Sequence, residues 1–282
     1  MKYIKFTGLL LLIMFSFFYT DKVINVISEK DSLMLEIKKV KDLYRVPYID
    51  GIIDNDTIIP GLNGREIDVS KSYKKMREIG SFNKDLIVYN DIKPNVSITN
   101  NQDKYIIKGN NNKQMVSIIF VIDDNKYIDK IKKIIISKGI VVNFFITSDY
   151  LISNSTELTS FKNIEVYNYG NNGSYTPDNL IFSNNLISRI TKNEAIYCLV
   201  TNRDRNSINI CSNNGLYTIL PNIIIKNNPY ISIKDKVSSG SIILLDVTNS
   251  NISELSLIID YIKGKGLYIS GLSDLLNEKL EY

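Results

Sequence analysis

The residues able to do chemistry in this chain are few, and their absences narrow the choices. There is no histidine in 282 residues. That removes the side chain that titrates nearest neutral pH, every Ser-His and Cys-His dyad, and the commonest zinc ligand. Two cysteines, Cys198 and Cys211, are too few to cage a metal. They either pair, which the chain-entropy account values at about 3 kcal/mol, or remain as two buried thiols. Carboxylates are what is left: the adjacent Asp123 and Asp124 after one apolar run, and Asp246 at the end of another. An oxygen-only set of this kind suits Ca²⁺ or Mg²⁺ loosely and generates hydroxide poorly at neutral pH. The plainer reading of Asp123-Asp124 is a carboxylate pair at a helix start, where the macrodipole favours negative charge. No glycine pattern of the Gly-x-Gly-x-x-Gly or P-loop type is present, so nucleotide binding lacks its phosphate cradle. A net charge of +4 without any tryptophan gives no basic or stacking surface for nucleic acid.

The elements that must position these carboxylates follow from hydrophobic pattern. Val116 to Ile122 is a near-continuous apolar run, of the kind buried on both faces in a parallel sheet. Tyr127, Ile128, Ile131, Ile134 and Ile135 then recur at helical spacing, Gly139 stands at the C-cap position, and Ile140 to Ile146 is a second β-rich run. Strand, helix and strand make one right-handed βαβ unit. Further strands are expected at Ile164–Tyr167, Glu194–Thr201, Gly215–Leu220, Ile223–Ile225, Gly240–Asp246 and Leu267–Ile269. Helices are expected over Leu180–Ile190, around Leu255–Ile262 and over Ser273–Leu280. Alternation of this kind predicts an α/β fold with a parallel sheet, open or closed as a barrel. Between them lies a polar loop, Gly170 to Asp178, rich in amide and hydroxyl groups.

The N-terminal part reads differently. Lys2 and Lys5 precede an apolar stretch from Phe6 to Tyr19 with no small-residue cleavage site after it. We read residues 1–24 as an uncleaved signal-anchor, with a cleaved signal or a core helix as the alternatives. The expected location is therefore the cell membrane, single-pass, with the main domain extracytoplasmic. Residues 25–44 predict an amphipathic helix serving as a stalk. Residues 45–112 predict a small α+β module, with a helix from Asp68 or Ser70 to Ile79 and strands at Leu86–Tyr89 and Tyr105–Ile107. Its segment Pro60–Glu66 is either a binding loop or, more simply, a tight turn with solvated charges.

From about residue 115 to 278 the chain resembles the polysaccharide deacetylase (NodB-homology) family. Gly240-Ser-Ile-Ile-Leu-Leu-Asp246 looks like that family's GSIILLHD strand, and Ile262 to Leu276 looks like its KGY turn and closing helix. Val116–Phe120 and Val142–Ile146 look like its VALTFDDG and ATFF strands. Gly170 to Thr176 looks like its GNHTYSH loop. The resemblance implies a distorted (β/α) barrel over residues 113–282 and a metal-dependent site that removes acetyl groups from sugars.

This chain departs from the pattern at the residues that carry that chemistry. Asn172 and Thr176 stand at the two metal-binding histidine positions, and Asp246 stands at the position of the later histidine. The family's Arg-Pro-Pro-Tyr-Gly segment is not recognisable near Cys198–Asn202. The expectation is a degenerate, catalytically inactive member with no metal and no cofactor. Asn171, Asn172, Ser174, Tyr175 and Thr176 would then contact a cell-wall or surface polysaccharide, or an envelope protein. One alternative is an active carbohydrate deacetylase using Asp123, Asp124 and Asp246 with a divalent metal. The other is a structural or assembly protein of the cell envelope.

Overall fold

The structure is a computed structural model that describes Met14 and residues 31–279. They divide into two compact units, one ending at Tyr48 and resuming over Asn63–Ile92, the other comprising Ile49–Leu62 and the chain from Lys93 onward.

In the smaller unit, a helix over Ser32–Val40 starts at Asp31, whose Oδ1 accepts from the Leu33 N–H at 2.8 Å. Its apolar face buries Leu33, Met34 and Ile37 against Ile67, Tyr73 and Met76. Of the segment expected as a stalk, residues 32–44 pack within this unit, and residues 25–30 lie outside the described residues. A second helix, Val69–Met76, is capped by Asp68, which accepts from Lys71 N–H at 2.9 Å. It stops short of Ile79, which falls off the buried face. An antiparallel ladder joins Gly64–Ile67 to Tyr89–Ile92. That ladder starts later than expected because Asn83 caps a 3-10 turn over Lys84–Leu86. Glu66 is ion-paired with Lys41 at 3.2 Å, and the Arg65 guanidinium lies over the Tyr89 ring. The Pro60–Glu66 segment is therefore spent on turn and ladder structure.

The larger unit begins with a hairpin, β1 (Ile52–Asp54) and β2 (Thr57–Ile59), followed by β3 (Tyr105–Ile106). The βαβ unit comes next: β4 (Met115–Ile122), α1 (Ile128–Lys138) and β5 (Val142–Ile146). The stripe on α1 buries Ile128, Ile131 and Ile135, and Gly139 closes it in the left-handed region at φ +59°. The chain continues through α2 (Ser148–Asn154), β6 (Ile164–Asn168), α3 (Pro177–Thr191), β7 (Tyr197–Leu199), α4 (Arg205–Asn213) and β8 (Tyr217–Ile219). It ends with β9 (Ile223–Ile225), α5 (Pro229–Lys234), β10 (Ile242–Leu245), α6 (Asn249–Gly264), β11 (Tyr268–Ile269) and α7 (Leu272–Leu276).

The expected α/β class is what forms. One sheet runs β9-β10-β4-β5-β6, all parallel, with β11 paired to the start of β4. A second runs β1-β2-β3-β8-β7 and is parallel apart from the hairpin. Pairing of β2 with β3, and of β3 with β8, is what brings residues 49–62 and 93–112 into this unit. Between β6 and β7 the described residues show ring contact in place of ladder bonds, Tyr167 meeting Tyr197 at 5.1 Å, and Tyr197 also meets Tyr217 on the paired strand β8 at 6.0 Å. A large apolar core with Phe120, Phe144 and Phe145 fully buried fills most of the unit, and a second, smaller cluster gathers Tyr105, Tyr175, Leu180, Cys198, Ile208 and Cys211. Cys198 on β7 and Cys211 on α4 form a disulfide, resolving the choice between a bridge and two thiols.

The expectation of a single-pass membrane protein needs correction. No helix among the described residues is long and apolar enough to cross a membrane. Residues 1–24, on which that expectation rested, lie outside the described residues apart from Met14.

Candidate functional site at the strand ends

Parallel strands in register bring their C-terminal ends to one edge, and in such sheets that edge is where loops can carry chemistry. Here it collects Asp123 and Asp124 after β4, Tyr169 to Thr176 after β6, Lys226 after β9 and Asp246 after β10.

Asp123 and Asp124 lie just beyond the last paired residue of β4, since Ile122 is the partner of Ile146. Both are exposed, and Asp124 Oδ1 accepts from the Lys126 N–H at 2.9 Å, closing a local turn. Asp246 is different. Its backbone N–H donates to Ile225 O at 3.0 Å, continuing the ladder by one step. Asn251, wholly buried, donates from Nδ2 to both Lys226 O and Asp246 O, which fixes these two strand ends side by side. The Asp246 carboxyl is half-buried, and burial raises its pKa against the opposing pull of Lys226. Leu244 pairs with Ile119, so Asp246 is level with Val121 and two residues short of Asp123. Among the described residues, no three His, Cys, Asp or Glu side chains gather closely enough to hold a metal ion. The three aspartates therefore do not make the carboxylate metal site of the active alternative.

The loop after β6 is a tight, internally bonded turn. Asn171 N–H donates to Ser174 O at 2.9 Å, and Gly173 N–H donates to Tyr169 O at 2.9 Å. Asn172 takes φ +52° and Gly173 φ +85°. Asn171, Asn172, Ser174 and Thr176 are exposed. Tyr175 requires a correction, because at 2% exposed it presents no ring face to a ligand. Its hydroxyl accepts from Leu199 N–H at 2.8 Å and lies 3.1 Å from Asn168 O and 3.2 Å from Leu199 O. Burial drives its pKa far upward. Tyr175 is a bolt between β6 and β7. Thr176 is the N-cap of α3: its Oγ1 accepts from Asn179 N–H at 3.3 Å, Asn179 Oδ1 accepts from Thr176 N–H at 3.0 Å, and Pro177 follows.

These donors do not fit a catalytic zinc. An amide (Asn172) and a capping hydroxyl (Thr176) stand where the motif resemblance expects imidazoles, and neither becomes an anionic or nitrogen ligand at neutral pH.

Sequence reasoning missed two residues at this edge. Tyr169 is partly buried, and its pKa is raised by burial and then by the Asp246 charge. Lys226 is exposed beside Asp246. The available signal was position alone, one residue past each strand's last residue.

No protein-family model matches the chain. The uncharacterized protein YlxY of Bacillus subtilis is 26% identical over 277 residues, covering 90% of this chain and 86% of that protein. Among solved structures, BA3943, a CE4 family pseudoenzyme from Bacillus anthracis, superposes with a TM-score of 0.66 at 22% identity, covering 89% of this chain and 97% of that one. A BA3943 mutant described as having restored enzymatic activity gives a TM-score of 0.67 at 22% identity, with 89% and 100% covered. PdaA of B. subtilis, a family 4 carbohydrate esterase, gives a TM-score of 0.53 at 17% identity, over 61% of this chain and 84% of its own. With parallel strands and flanking helices, the chain has the fold of the CE4 family, the polysaccharide deacetylase fold its motifs resembled.

Proposed function

We propose that the protein is a catalytically inactive deacetylase-fold protein whose strand-end edge binds a cell-wall or surface polysaccharide. The carrying observation is the fate of the ligand positions: Asn172 is an exposed turn residue and Thr176 is committed to capping α3. Support comes from the similarity to BA3943, described as a pseudoenzyme, and to Bc1960, described as a peptidoglycan N-acetylglucosamine deacetylase, with a TM-score of 0.54. The exposed amide and hydroxyl groups of Asn171, Asn172 and Ser174 are the kind that hydrogen-bond sugar hydroxyls.

The test has two arms. Full-length protein is incubated with acetylated chitooligosaccharide and peptidoglycan in the presence of Zn²⁺, Co²⁺ or Mg²⁺, and acetate is measured. No release is expected, while the protein co-sediments with insoluble peptidoglycan. Metal-dependent release abolished by Asp246→Ala would overturn the inactive reading. Absence of the protein from the pellet, with no binding to soluble oligosaccharide, would overturn the binding one.

A further inference from the structure

Each of the other described α-helices exposes at most one large apolar side chain, such as Ile136 on α1, Ile152 on α2, Ile231 on α5 and Leu257 on α6. Single exposed apolar residues are ordinary. The helix α3 differs. It buries Leu180, Ser183 and Ile187, and it leaves the adjacent Ile181 and Phe182 50% and 55% exposed. Around them the sequence carries a pattern. Asp178, Phe182, Asn185 and Arg189 follow at spacings of four, three and four, the a/d repeat of a coiled-coil seam. At about 3.6 residues per turn, these four lie on the side of α3 opposite its buried face, and all four are exposed. Ile181 and Leu186 flank the seam, and Phe182, Asn185, Leu186 and Arg189 line a shallow groove of about 270 Å³. Within one chain, nothing among the described residues packs on this face.

The charges at its two ends say what fits it. The seam begins with Asp178 and ends with Arg189, and neither makes an ion pair among the described residues. A second copy of α3 laid antiparallel brings its Arg189 opposite Asp178 and its Asp178 opposite Arg189. Each Phe182 then faces the other copy's Asn185. Such a pair closes on a two-fold axis, so one self-complementary surface satisfies both ends. A parallel pair would set Asp178 against Asp178 and Arg189 against Arg189. A polar residue within a seam fixes its register, which is the part Asn185 plays.

We infer that the outward face of α3 is a self-association surface, through which two copies of this chain pair antiparallel. The helix has 15 residues, so the seam is about 22 Å long. A contact of that length covers well under the roughly 800 Å² per partner of a stable dimer, which makes this one weak and reversible, dissociating at about 100 µM. Since α3 begins directly after the loop at 171–174, the pairing sets the two copies of that loop at opposite ends of the seam.

Sedimentation equilibrium of the full-length protein, loaded from about 10 µM to about 1 mM, tests this on the wild type, Asp178→Arg and Arg189→Asp. The wild type should move from the mass of one chain toward twice that mass. Each variant alone sets like charges against each other at both ends of the seam and should weaken association by about tenfold or more. Mixed in equal amounts, the two variants form a pair with opposite charges at both ends, and association should return to within about threefold of the wild type. A misfolded chain cannot be rescued by mixing, so this arm separates lost pairing from lost folding. A wild type that stays monomeric throughout would overturn the inference and leave the face to a different partner. A dimer that either substitution leaves unchanged, or variants that fail to recover on mixing, would overturn antiparallel pairing through α3.

Discussion

Replacing Tyr175 by Phe isolates the contribution of one hydroxyl to the joint between β6 and β7. The ring stays, so packing is conserved. What disappears is an acceptor 2.8 Å from Leu199 N–H and a donor shared between two carbonyls at 3.1 and 3.2 Å. The lost hydrogen bonding costs about 1 kcal/mol net, and the Leu199 N–H, left buried and unpaired, adds about 1–3 kcal/mol. The total is about 2–4 kcal/mol, which for a unit of this size lowers Tm by roughly 5–15 °C. The assay is thermal and urea unfolding of wild type and variant, with Tyr169→Phe as the comparison. The Tyr169 hydroxyl makes no hydrogen bond among the described residues, so its loss should move stability by less than about 0.5 kcal/mol. A Tyr175→Phe protein as stable as Tyr169→Phe would refute the view that this hydroxyl bolts the two sheets together.

Burial pushes the phenol pKa values of Tyr167, Tyr175 and Tyr197 upward, so they stay protonated in the folded chain after unfolded tyrosine has begun to ionise near pH 10. Their contribution is intact below that pH and is lost above it, by about 1.4 kcal/mol per pH unit for each tyrosine; urea midpoints that do not fall between neutral pH and pH 11 would contradict this. Reduction of Cys198–Cys211, which spans 13 residues, should remove about 3 kcal/mol, seen as a lower Tm in dithiothreitol once two thiols are titrated. Asp204 caps α4 through the Asn206 and Ser207 N–H groups, so Asp204→Ala should cost about 1 kcal/mol in urea unfolding, whereas Asp204→Asn should recover most of it.

What could be read from the sequence depended on how many residues carried each signal. The runs at β4 and β5 are legible because both faces of those strands are buried and nearly every residue repeats the message. The α1 stripe and Gly139 are legible for the same reason. The hairpin β1–β2 was missed: each strand has three residues, and its place in the sheet depends on pairing with β3 some 50 residues later. Tyr175 misled because an aromatic in a polar loop looks like a contact residue, and no periodicity reports that one loop side chain turns inward. Thr176-Pro177-Asp178-Asn179 does spell a helix start, and reading it so would have removed Thr176 as a candidate ligand. Tyr169 and Lys226 are single residues whose importance comes only from neighbours on other strands.

The wholly buried Asn143 sets an order on how the chain can complete its fold. Its Nδ2 donates to Ser117 Oγ and Ile118 O, and its Oδ1 accepts from Leu272 N–H at 2.8 Å. Ser117 Oγ in turn donates to Ser270 O. A growing polypeptide has β4 and β5 synthesised well over a hundred residues before Ser270 and Leu272 are made. Until then the middle of its main sheet holds an amide oxygen and a hydroxyl without these partners, a penalty of about 1–3 kcal/mol for each. The final seal of the sheet therefore waits until Ser270 and Leu272 have been made. A chain terminated before Ser270 should be cleaved by protease in β4 and β5 where the full-length chain resists, and equal resistance would show that the sheet closes without its C-terminal partner.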